Sequence, residues 1–171
     1  MLILVFILSA CATAPRKIWR SEPPLQSVEN QAFVASLEPV HKGKSFYTWF
    51  RFTLSNKGEK TLAIDWNKSR YLHNGRMSGI FIFEGLDPKT IKLRTIPADR
   101  VMPGATFTRL IAPQQLVAFA PLRERNVLAR EEGISPGLIP AGENGIMLVL
   151  HKDGTEIREK LIVRIVEAMQ R

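Results

Sequence analysis

Cysteine is almost absent from this chain of 171 residues. Cys11 is the only one, so no disulfide forms within the chain. Histidine is scarce too, and His41, His73 and His151 stand too far apart in sequence to form a short-spaced ligand pair. Met77, Met102 and Met147 are scattered, which argues against a methionine-based copper site. No apolar run approaches the roughly 20 residues that a membrane-crossing helix requires. A Walker loop, a Gly-x-Gly-x-x-Gly turn and a Gly-x-Ser-x-Gly elbow are all missing. In Gly75-Arg76-Met77-Ser78-Gly79 the serine comes one place too late. The expectation is a protein without catalytic residues, metal or cofactor. Acidic side chains are the minority: 16 Asp and Glu stand against 24 Lys and Arg, for a net charge of +8. What is present is ordinary globular composition, 45% apolar and 23% charged, enough to pack one domain and too apolar for a disordered chain.

The chain opens Met1-Leu-Ile-Leu-Val-Phe-Ile-Leu8-Ser9-Ala10-Cys11. Leu2 to Leu8 is too short to span a bilayer as a helix and has the length of a signal-peptide core. Small residues and then the cysteine follow it. Leu8-Ser9-Ala10-Cys11 resembles the lipobox of bacterial lipoproteins. The resemblance implies that a signal peptidase recognises Leu8, Ser9 and Ala10, and that the Cys11 thiol carries diacylglycerol, with a further acyl chain such as palmitate on the new amine. Ala12 stands where an Asp would retain a lipoprotein at the inner membrane, so the resemblance also implies the periplasmic side of an outer membrane. The segment departs from the pattern in having no Lys or Arg before the apolar run.

Three segments follow from this reading: a signal peptide at 1–10, a lipid attachment site with a tether at 11–31, and a folded domain at 32–171. Pro15, Pro23 and Pro24 break helices and favour extended structure, and no apolar period is sustained before Ala32. A tether of about 20 residues reaches roughly 60 Å when extended. Arg16, Lys17 and Arg20, with Trp19 among them, would face anionic headgroups.

From Ala32 onward the period is 2. Phe33–Leu37, Ser45–Leu54, Leu62–Trp66, Tyr71–Leu72, Ile80–Phe83, Thr106–Ile111 and Leu116–Phe119 read as strands. Asn74-Gly75 is a strong hairpin signal. Ile146–Leu150 and Ile157–Val166, joined at Lys152-Asp153-Gly154, read as a terminal hairpin. Leu122–Glu132 reads as a short helix or a surface loop. Eight or nine strands at this spacing predict an all-β, antiparallel β-sandwich with Trp66 at its centre, a small β-barrel being the alternative. The arrangement resembles an immunoglobulin-like sandwich without the cysteine pair of antibody domains.

The most distinctive segment is Ile64-Asp65-Trp66-Asn67-Lys68-Ser69-Arg70-Tyr71. Two readings stand. Asp65, Asn67 and Ser69 hydrogen-bond a chain corner while Trp66 and Tyr71 pack beneath it. Alternatively Asp65, Trp66, Asn67, Lys68, Arg70, Tyr71 and Arg76 form an interaction patch for a glycan or peptide. The segment resembles part of envelope lipoproteins with β-sandwich domains, a resemblance that implies no activity. The basic excess, with Lys89, Lys92, Arg94, Arg123, Arg125 and Arg130 further along, favours anionic partners. The expected function is a non-catalytic, lipid-anchored envelope protein that binds or scaffolds other envelope components, such as an accessory lipoprotein of a secretion, pilus or transport assembly. The alternatives are a binding module for an anionic lipid or glycan, and an envelope hydrolase using Asp65 with Asp87 or Asp99. Nucleic acid is not an expected partner.

Overall fold

The computed structural model describes residues 16–85, 95–120 and 133–170. Leu8, Ser9, Ala10, Cys11, Asp87, Lys89, Lys92, Arg94 and the stretch Leu122–Glu132 lie outside the described residues. The expected antiparallel sandwich is present, and it is not a closed barrel. One sheet contains β1 (Arg16–Glu22), β5 (Leu62–Ile64), β6 (Arg70–His73), β7 (Arg76–Met77), β9 (Asp99–Val101), β13 (Gly142–Lys152) and β14 (Thr155–Gln170). The other contains β2 (Gln26–Glu29), β3 (Phe33–Val40), β4 (Trp49–Asn56), β8 (Phe81–Phe83) and β10 (Thr106–Pro113). A separate two-stranded ribbon joins β11 (Val117–Ala120) to β12 (Gly133–Pro136). The count exceeds eight or nine because several strands have only two to four residues, too few to leave a readable alternation.

Period-2 patterning places the core. Phe33, Ala35 and Leu37 on β3 and Phe50, Phe52 and Leu54 on β4 are fully buried, facing Leu62, Ile64, Ile146, Leu148 and Leu150 of the other sheet. Trp66 sits inside this layer with no exposed surface. Asn74 and Gly75 both have positive φ, 47° and 76°, as a two-residue hairpin turn demands. Asp153 and Gly154 do the same between β13 and β14. Gly145 is needed for a different reason: β13 runs there between β14 and β6, and a Cβ would run into the Leu161 carbonyl.

The tether expected at 11–31 is corrected over much of its length. Arg16–Glu22 is strand β1, paired antiparallel with β14 from Arg16↔Gln170 to Glu22↔Arg164. β1 lies on the edge of β14 opposite β13, and β14 runs on to Gln170 after its pairing with β13 ends at Ile165, so β1 covers the outer edge of that extension. Pro23 follows this strand rather than breaking it. Trp19 packs against the core instead of standing free for a membrane interface. After Pro23-Pro24 the chain enters the second sheet as β2, where Val28 turns inward and Ser27 and Glu29 outward.

Candidate functional site around the Asp65 corner

β5 and β6 both pair with β13, so residues 65–69 form a corner lifted from the sheet. The Asp65 N–H donates to the Val149 carbonyl at 2.9 Å, and the Ser69 N–H donates to the Asp65 carbonyl at 2.9 Å. Buried Ser69 closes the corner: its Oγ donates to the Asp65 carbonyl at 2.7 Å and accepts from the Val149 N–H at 3.0 Å. The Asp65 carboxylate accepts from the Lys68 N–H at 3.0 Å and meets His151 Nε2 at 3.2 Å. Asn67 pairs twice with Ile96, donating from Nδ2 to its carbonyl at 2.6 Å and accepting from its N–H at 2.8 Å. Arg70 folds back onto the carbonyls of Asn67 and Ser69. Each short polar side chain therefore satisfies a backbone group that the corner removes from the ladder.

Two aromatic residues lie beneath. Trp66 meets Phe83 and Phe52 edge-on, at ring separations of 4.9 and 5.7 Å. Its Nε1–H donates to Asp99 Oδ2 at 2.7 Å. Tyr71 is buried, and its hydroxyl donates to Asn144 Oδ1. Burial pushes the Tyr71 phenol well above its usual range, because no water is at hand to solvate the phenolate. Neither ring offers a face for stacking a sugar or peptide.

The cations of the predicted patch do not converge. Lys68 reaches Glu156 at 2.6 Å, near the turn between β13 and β14. Arg76 is exposed on β7, beyond the Asn74-Gly75 turn and opposite His73, which pairs with Asn144 at the other end of β13. Lys68 and Arg158 together draw the Glu156 carboxyl down to about 2 by hydrogen bonding to its ionised form.

A second constellation was not foreseen. Asp99 Oδ2 accepts from Arg109 at 2.6 Å as well as from Trp66. The Arg109 guanidinium lies 4.7 Å from the Phe83 ring centre and 5.1 Å from that of Phe107. β9 belongs to one sheet and β10 to the other, so this cluster joins the layers. The signal was in the sequence: Arg109 has the same parity as Phe107 and Ile111, and a cation on an apolar strand face needs a partner. Asp65 and Asp99, offered as a hydrolytic pair, are held by different partners, His151 on one side and Trp66 with Arg109 on the other. Among the described residues no three His, Cys, Asp or Glu side chains gather as metal ligands.

No family model matches the chain, and a search of curated proteins finds no match.

Proposed function

We propose that this protein is a lipid-anchored envelope protein that holds or scaffolds other envelope components without catalysing a reaction. Leu8-Ser9-Ala10-Cys11, placed directly after the apolar run Leu2–Leu8, carries the reading. The acyl chains on Cys11 hold the protein at the outer membrane, facing the periplasm, and the sandwich is the part that meets a partner. One sheet edge has the length for strand addition. β2, β7, β8 and β9 have two to four residues each, whereas β1 has seven. The Trp19 N–H points away from β14 and is taken by the Ser45 carbonyl at 3.3 Å, so an added strand has to displace loop 41–48 at this point. Lys17 and Ser21 share its parity, so their backbone groups face the same outer edge.

The test begins with intact-mass analysis and palmitate labelling of the protein from membranes. Acyl mass on Cys11, lost in Cys11→Ala, is the expected result; an unprocessed chain with a free thiol refutes the anchor. Affinity purification from cross-linked membranes then reads the partner. A stoichiometric protein recovered with the native chain and with Lys17→Ala, which loses the Glu167 ion pair, but lost with Lys17→Pro, which also loses the outward N–H of β1, supports the scaffold reading. Recovery of the lipoprotein alone, or with bound lipid or glycan, counts against it.

A further inference from the structure

We propose that the ribbon formed by β1 and the end of β14, together with the loop 41–48, docks on anionic lipid headgroups of the bilayer that holds the anchor. The inference rests on acylation of Cys11 and adds which surface of the domain faces the membrane. Three observations carry it.

The first is reach. Only residues 12–15 separate Cys11 from Arg16, where β1 begins. Five peptide steps span at most about 17 Å, and a flexible segment of that length averages about 12 Å. The start of β1 therefore stays within one to two screening lengths of the charged surface, since that length is about 8 Å at physiological salt.

The second is position. The pairing Arg16↔Gln170 puts the first residue of β1 beside the end of β14. β13 stops pairing at Ile165, so Val166–Gln170 and their partners Arg16–Arg20 extend past the end of β13. The loop 41–48 closes against this ribbon through the Trp19 N–H and the Ser45 carbonyl. The opposite end of the sandwich carries the Met102–Ala105 turn, whose Gly104 N–H donates to the Asn56 carbonyl at 3.0 Å.

The third is chemistry. The ribbon holds Arg16, Lys17, Arg20 and Arg164 against Glu22 and Glu167, and the loop adds Lys42 and Lys44. Lys17 is paired with Glu167 at 2.5 Å and Lys42 with Glu84. Arg20 and Lys44 are exposed and have no acidic partner among the described residues. Met169, opposite Lys17 on the ribbon, is 60% exposed. Met169 shares the core-side face with Lys17 and Arg20 stands on the other, so it is the end of the ribbon, where both faces are reached, that suits an interface with an apolar layer under negative headgroups.

The experiment uses the full acylated chain reconstituted into vesicles of phosphatidylethanolamine with phosphatidylglycerol, and separately into phosphatidylcholine vesicles. Because acylation consumes the Cys11 thiol, Met169→Cys and Met102→Cys each give one labelling site, and a fluorophore there is quenched by headgroup spin-labelled lipid. The expected result is stronger quenching at 169 than at 102 in the anionic vesicles, with the difference reduced in phosphatidylcholine to what the short attachment alone imposes. Arg20→Gln and Lys44→Gln should each lower the docked-to-free ratio about fivefold. Circular dichroism confirms that these surface variants fold. Equal quenching at the two sites, or no response to lipid charge, in a chain that floats with the vesicles overturns the docking alone. A chain that does not float and keeps a reactive Cys11 overturns the anchor and the docking together.

Discussion

Replacing Trp66 by phenylalanine separates a core role from a binding role. The indole is fully buried, donates to Asp99 Oδ2 at 2.7 Å and is met edge-on by Phe52 and Phe83. Phenylalanine keeps much of the ring contact but removes the donor. A hydrogen bond to a charged group contributes about 1.5–3 kcal/mol. Asp99 retains Arg109, so its carboxylate is not orphaned and the lower part of that range applies. The smaller ring leaves roughly 40 Å³, which adds about 1 kcal/mol at about 24 cal/mol per Å³. The sum is about 3 kcal/mol. For a domain of this size that lowers Tm by about 6–12 °C, and it lowers the urea midpoint by about 1–2 M at an m-value near 2 kcal/mol/M. Urea and thermal unfolding of the full chain in detergent, followed by far-ultraviolet circular dichroism, read both quantities without relying on indole fluorescence. A Tm shift under about 2 °C refutes the packing argument. An unchanged Tm with loss of a cross-linked partner would move Trp66 to the interaction patch.

Gly145→Ala drives a Cβ into the Leu161 carbonyl and should destabilise by about 2 kcal/mol or more, whereas Gly43→Ala has open space but a φ of +77° and should lose about 1 kcal/mol; comparable Tm values for the two would refute this. Tyr71→Phe removes the donor to Asn144 Oδ1 and should lower stability by about 1–2 kcal/mol. Asn144→Ala also strands the carbonyls of Pro140 and Gly142, so it should cost more, and the double variant should lose less than the sum; strict additivity in urea unfolding would contradict a shared bond. Glu156 is lowered from 4.5 to about 2 in the folded chain. The unfolded state binds its proton more readily, so its contribution is complete above about 4.5 and is lost as pH falls toward 2. Carboxyl titration by NMR should show Lys68→Ala and Arg158→Ala each raising that midpoint, and no movement in either would exclude the pairings.

The strands that carry long alternation were legible. The strand read over Ser45–Leu54 shows its buried face in Phe50, Phe52 and Leu54, but it begins only at Trp49 and 45–48 belong to the preceding loop; Asn74-Gly75 marks a turn by conformation alone. The corner was legible as chemistry, since Asp, Asn and Ser at a strand end bond the backbone. β1 was not. Only Trp19 packs on the core, and the strand owes its place to pairing with the edge of β14 opposite β13, a relation between residues about 150 apart in sequence. The Asp99–Arg109 cluster was half legible: parity marks Arg109 as inward, but Asp99 reaches it from the other sheet, which no local pattern encodes. β7 and β9 are too short for a period to emerge, and pairing with neighbours defines them, whereas the alternation of Leu62 and Ile64 already marks β5.

The change from tether to strand alters the physics of the proposed anchor. A free segment of about 20 residues would let the domain sample a hemisphere roughly 60 Å in radius. With β1 beginning at Arg16 and paired over seven residues with β14, most of that freedom is gone. On the proposed attachment at Cys11, the leash to Arg16 reaches at most about 17 Å and leads into the longest sheet-edge strand among the described residues, which loop 41–48 meets at Trp19. Orientation is then set by the fold. In the proposed docking the ribbon end faces the headgroups and the Met102 end faces away, so the part of the β1 edge nearest Arg16 lies closest to the membrane. A partner added to that edge has to be another membrane-proximal protein. The leash holds it at high effective concentration only if it lies at the same height, because effective concentration falls steeply once a linker does not match the span it must bridge.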